Sequence, residues 1–172
     1  GHTMNEHAKM LASMLIRNFN NIQMDSFVRE PLYEGRSARL APGTVAQKLG
    51  ATIDILAPGK RGCPYHLHHA QEEMFVALEG PGTLRVAGEE PPIVPGDVIF
   101  IPPGPEYPHQ IINTSDQPLK YLSISTKDSP EIVEYPASGK FLAMAGKHGA
   151  PALDFDSMQL KSQSADYWLD EP

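Results

Sequence analysis

Two histidines one residue apart, His66 and His68, are followed by a carboxylate within the run Pro64-Tyr65-His66-Leu67-His68-His69-Ala70-Gln71-Glu72-Glu73. On a β-strand, residues two apart project to the same face. The spacing therefore aims both imidazoles into one interior, while Leu67 and His69 face the other way. Glu73 would enter from the next strand after a short turn, with Phe75 and Ala77 on its face. A carboxylate beside two imidazoles in an enclosed site is costly to desolvate unless a positive charge compensates it. A divalent cation does so, and imidazole with carboxylate suits first-row transition metals.

The elements that must position these residues are short. β-prone runs fall at Ala51–Ala57, Met74–Leu78, Thr83–Val86, Val98–Ile101, Gln110–Asn113 and Leu119–Thr126, with proline and glycine turns between them. This spacing predicts an antiparallel sandwich or barrel. Before it, Ala8, Leu11, Leu15, Phe19 and Ile22 recur at helical intervals, which predicts a helix over 4–22, packed on the domain or exchanged across a dimer. Pro31 follows as a stop signal. After Thr126, Pro130, Pro136, Gly139, Gly146, Gly149 and Pro151 predict an irregular arm that packs back on the barrel. The expected organisation is a cloning remnant (Gly1-His2-Thr3) and helical arm over 1–35, a barrel over 36–130 and a C-terminal arm over 131–172.

The stretch around His66 resembles the first motif of the cupin superfamily. In that motif a glycine precedes His-x-His, and a glutamate follows, six residues ahead of another glycine. Here the pieces are Gly59 or Gly62, His66, His68, Glu73 and Gly80, and the spacing selects Glu73 over its neighbour Glu72. The second motif is matched by Gly96, Pro102-Pro103-Gly104, His109 and Asn113. Four residues, Pro105 to Pro108, separate Gly104 from His109 where the general pattern has two, so the turn must bulge. The segments Glu134–Lys140 and Asp166–Trp168 are similar to those of small bacterial-type cupins often given a mannose-6-phosphate isomerase-like label. Ala137 stands where those relatives tend to have an aspartate.

The resemblance implies an all-β cupin jelly-roll barrel whose metal ligands are His66, His68, Glu73 and His109. The ion would be one divalent transition metal: manganese, iron, nickel or zinc. Four protein ligands on a six-coordinate ion leave two positions for water or a small-molecule substrate. The same site serves isomerases, dioxygenases, decarboxylases and non-catalytic binding proteins in that superfamily, so fold and ligands do not select a reaction. A metal-dependent enzyme acting on a sugar or carboxylic acid is the expectation; a binding or sensing protein without turnover and a non-haem iron dioxygenase are the alternatives. No catalytic residue is identified beyond the ligands.

Other residues read more plainly. His69 and Glu72 are expected to face solvent, and Cys63 to be a small hydrophobe without special reactivity. Tyr65, Phe75, Tyr107 and Tyr121 belong to core or rim. Trp168 would either close the barrel mouth or pack on the outer sheet. Arg61 and Arg85 lie in the barrel region, and a phosphate would need such guanidiniums. The 172 residues carry 14 Lys and Arg against 21 Asp and Glu, a net charge of −7. That disfavours nucleic acid and anionic membranes as partners. One cysteine excludes an intrachain disulfide. The cytoplasm is the expected compartment, and a homodimer the expected state, because open barrels leave strand edges to be covered.

Overall fold

A computed structural model describes residues 3–150 and 152–172. Gly1 and His2 of the leading tripeptide, and Pro151 among the chain breakers, lie outside the described residues. Helix α1 spans Glu6–Leu15, and Asn5 caps it by accepting the Ala8 N–H through its side chain at 2.8 Å. The expected continuation to Ile22 does not form. Asn18, Asn20 and Asn21 are poor helix formers that compete for backbone groups. Asn18 accepts the Asn20 N–H through its side chain and the Asn21 N–H through its carbonyl, which turns the chain. No residue of α1 is buried, and Met10, Leu11, Met14 and Leu15 stand exposed.

Thirteen strands follow among the described residues. They are β1 (Asp25–Arg29), β2 (Tyr33–Arg39), β3 (Leu49–Leu56), β4 (Leu67–His68), β5 (Glu73–Glu79), β6 (Gly82–Val86) and β7 (Pro92–Ile93). The remainder are β8 (Val98–Ile101), β9 (His109–Ile112), β10 (Leu119–Thr126), β11 (Glu131–Tyr135), β12 (Lys140–Ala145) and β13 (Phe155–Leu160). They form a six-stranded sheet ordered β1-β2-β3-β10-β5-β8, a four-stranded sheet β13-β12-β11-β4 and a three-stranded sheet β7-β6-β9. Pairings within the sheets are antiparallel. The architecture is that of an all-β jelly roll with an N-terminal helix.

Strand alternation builds the core. On β5, Glu73, Phe75 and Ala77 are buried while Met74, Val76 and Leu78 are less so. Phe75 and Ala77 meet Leu56, Leu84, Ile93, Ile101, Ile111, Leu119 and Tyr121 in one apolar cluster. Two glycines serve this arrangement, Gly62 by a close approach and Gly104 by its backbone conformation. A Cβ on Gly62 would come within 3.2 Å of the Tyr121 hydroxyl and 3.1 Å of Leu56. Gly104 has φ +113° while its N–H donates to the His68 carbonyl at 2.7 Å, a conformation side chains other than glycine rarely adopt.

The segment expected to be irregular is irregular only in part. Pro130 and Pro136 flank β11 without interrupting it, and Gly139, at φ +67°, turns the chain into β12. β11 then pairs with β4, the strand that carries His68, through Val133 and Glu134. No helix among the described residues is long and apolar enough to cross a membrane.

Candidate metal centre

His66 and His109 are cross-strand partners. His66 donates its N–H to the His109 carbonyl at 3.0 Å, and His109 returns the bond at 2.8 Å. Their side chains therefore share a face, with ring centroids 4.6 Å apart. His68 sits one strand step from His66, its ring 5.1 Å away and nearly perpendicular. Glu73 opens β5, opposite Ser125 of β10 and Ile101 of β8. Its Oε1 lies 2.9 Å from His109 Nε2, 3.2 Å from His68 Nε2 and 3.9 Å from His66 Nε2. Donor atoms of His66, His68 and Glu73 all fall within 4.8 Å of one another. Three of the residues selected from the sequence, His66, His68 and Glu73, are thus brought together, and His109 Nε2 reaches the same Glu73 oxygen. The four-residue turn Pro105–Pro108 is absorbed where the Pro108 carbonyl accepts the Ala87 N–H, and His109 arrives in register.

The outer nitrogens fix how the rings are used. His66 Nδ1 lies 2.9 Å from the Pro64 carbonyl, and His109 Nδ1 lies 3.0 Å from the Tyr107 carbonyl. A carbonyl can only accept, so each Nδ1 carries the proton and each Nε2 turns a lone pair inward. His68 Nδ1 faces Glu131 Oε2 at 3.4 Å. Glu131 is held rigidly, accepting the N–H groups of Ala70, Gln71 and Ile132. Glu73 Oε1, His109 Nε2 and His68 Nδ1 are all buried without a hydrogen-bond partner. Converging lone pairs beside a carboxylate repel, and buried polar atoms normally find partners. A divalent cation fits this donor set, because it would accept the lone pairs that nothing else does.

Burial is the main cause that pushes the His66 imidazole down to about 4. Burial raises the Glu73 carboxyl, but the three surrounding imidazoles outweigh it and hold it below the usual carboxylate range. The Cys63 sulfur lies 3.8 Å from His66 Nδ1.

The remaining sequence expectations divide. His69 is exposed and pairs with Glu134, which also binds Lys161; Glu72 is exposed. Asn113 is fully buried as a structural clamp, donating to the Leu56 and Gln117 carbonyls and accepting the Ser115 N–H. Phe75 and Tyr121 are core. Trp168 neither closes a mouth nor packs on a sheet; it is 70% exposed and meets Tyr167 edge-on, because the segment beyond Leu160 leaves the sheet.

Two residues escaped the sequence reading. Glu131 opens a strand that the flanking prolines obscured. Asp54 lies two residues before the core residue Leu56 and opposite Tyr121, so it shares the interior face. Burial pushes its carboxyl up to about 6, with the Ser37 hydroxyl drawing it back. An acid on the apolar face of an alternating strand was the available signal.

A family model described as a cupin domain matches residues 52–125. Glucose-6-phosphate isomerase of Pyrococcus abyssi is 33% identical over 93 residues, which is 47% of this chain and 48% of that protein. Auxin-binding protein 1 of Arabidopsis thaliana is 30% identical over 133 residues, covering 70% of this chain and 63% of that protein. The chain spans about half the length of the curated isomerases it matches. In fold it is similar to a sugar phosphate isomerase from Silicibacter pomeroyi DSS-3, with TM-score 0.71 and 23% identity over 86% of this chain and 93% of that one.

Proposed function

The chain is a small cupin, and from that premise we propose that it is a metal-dependent enzyme acting on a small polar metabolite such as a sugar or carboxylic acid. His66, His68, Glu73 and His109 would hold one divalent transition metal. The observation that carries this reading is the convergence of the His66, His68 and His109 Nε2 atoms on Glu73 Oε1, with His109 Nε2 and Glu73 Oε1 buried and unpartnered. When bound, such an ion supplies Lewis-acid polarisation of a substrate oxygen or a lowered pKa for a coordinated water.

The chain's own residues supply orientation and a proton site. The Pro64 and Tyr107 carbonyls and Glu131 hold the three rings in place. Asp54, an interior carboxyl opposite Tyr121 that burial raises to about 6, would exchange a proton near neutrality, the range in which acid–base groups are most effective. The likeness to glucose-6-phosphate isomerases supports a sugar-type substrate.

Elemental analysis of protein purified without a nickel step tests this, together with turnover assays on sugar, sugar phosphate and carboxylic acid panels. One equivalent of metal, lost in His66→Ala along with turnover, is the expected result. Turnover that survives His66→Ala defeats the reading. The likeness to an auxin-binding protein favours a second reading, metal-anchored ligand binding without turnover, which predicts saturable binding and no product. We also place the protein as a homodimer, because α1 presents Met10, Leu11, Met14 and Leu15 uncovered.

A further inference from the structure

A cavity of about 630 Å³ is lined by none of the four metal-site residues, although Tyr135 in its wall lies with its ring centroid 6.3 Å from that of His66. It is lined by Arg29, Arg61, Arg85, Lys140, Gln110 and Tyr135 among others, and no carboxylate lines it. Its floor is the opposite face of the strand that carries His109. Gln110 follows His109 on β9 and pairs with Arg85 of β6, so alternation turns both away from the core occupied by Leu84 and Ile111.

The arrangement is built rather than accidental. Gln110 is 1% exposed, and its Nε2 donates to the Cys63 carbonyl at 2.9 Å, which fixes its Oε1 toward the cavity. Arg61 Nη1 and Arg85 Nη1 both reach that one oxygen, at 3.4 and 3.3 Å. Arg85 is further held over the Tyr65 ring at 4.1 Å, a cation–π contact. Two guanidiniums sharing a neutral acceptor repel each other. Among the described residues, none of Arg29, Arg61, Arg85 and Lys140 forms a salt bridge. In a chain of net charge −7, this is a local reversal of sign without an internal counter-charge.

We infer that this cavity is an anion site in which Arg61 and Arg85, aligned by Gln110, bind the phosphate group of a small phosphate monoester. Guanidinium forks match phosphate oxygens in two-point contacts. Two such forks with Arg29 and Lys140 beside them supply more positive charge than a single carboxylate would neutralise, which favours the dianion. The site does not rest on the metal reading, since none of His66, His68, Glu73 and His109 lines it.

The test is calorimetric titration of the full chain with inorganic phosphate at low ionic strength, with acetate as the carboxylate arm. Wild type is expected to bind phosphate at least about tenfold more tightly than acetate. Arg61→Gln and Arg85→Gln should each weaken phosphate by about tenfold or more, and Gln110→Glu should abolish binding by placing a carboxylate between the guanidiniums. His66→Ala and chelator-treated wild type should bind phosphate as before. Thermal melts identify any variant that fails to fold, and the other two then carry the comparison. Absence of phosphate binding to wild type, unchanged affinity in the arginine variants, equal affinity for acetate, or loss in His66→Ala would each overturn the assignment.

Discussion

Glu73 Oε1 and His109 Nε2 lie 2.9 Å apart, both buried and neither engaged in a hydrogen bond. With the His109 proton committed to the Tyr107 carbonyl, the contact sets a lone pair against a carboxylate oxygen. A cation relieves it. Glu73→Gln and His109→Ala should therefore each lower bound metal at least about tenfold, read by elemental analysis against protein concentration. Full metal occupancy in both variants would remove these residues from the ligand set.

Glu131 tests the support behind the site. It accepts three backbone N–H groups and faces His68 Nδ1. Glu131→Ala leaves those donors unsatisfied and should cost about 2–5 kcal/mol in denaturant unfolding. Glu131→Gln retains acceptor capacity but loses the charge, and metal affinity should fall about 10–100-fold in a competition titration. Wild-type affinity in Glu131→Gln would show that His68 needs no such orientation.

Asp54 and His66 make opposite contributions to stability as pH changes. Asp54 is raised from 3.8 to about 6, so its contribution is full below 3.8 and is lost as pH rises through about 6. His66 is lowered from 6.5 to about 4, so its contribution is present above 6.5 and is lost as pH falls toward 4. Asp54→Asn should thus stabilise the fold at pH 7 by roughly 1–3 kcal/mol and make stability rise more steeply between pH 4 and 6. Denaturant midpoints across that range are the measurement, and a flatter profile in the variant would contradict the assignment.

Trp168 contacts little beyond Tyr167. Trp168→Ala should leave metal content unchanged and shift unfolding free energy by less than about 0.5 kcal/mol. A larger loss would mean that the ring is covered in solution.

The exposed face of α1 bears on assembly. If the proposed homodimer forms through this face, Leu11→Asp with Leu15→Asp should give a monomer by light scattering, without loss of the barrel's circular dichroism. A dimer that persists in this double variant would place the interface elsewhere.

Residue type and local spacing alone specified an antiparallel sandwich or barrel, the face shared by His66 and His68, and the burial of Glu73, Phe75 and Ala77, because alternation along a strand is a property of the backbone. The family resemblance supplied the jelly-roll class and selected Glu73 and His109 as the other two candidate ligands. Tertiary structure decided the rest. It brought Glu131 from 63 residues along the chain to His68, and it drew Arg61, 24 residues away in sequence, beside Arg85. It also ended α1 at Leu15 and ordered β11 between two prolines. Such neighbours are chosen by which strands pair, and pairing over long separations depends on the whole core closing rather than on any local pattern.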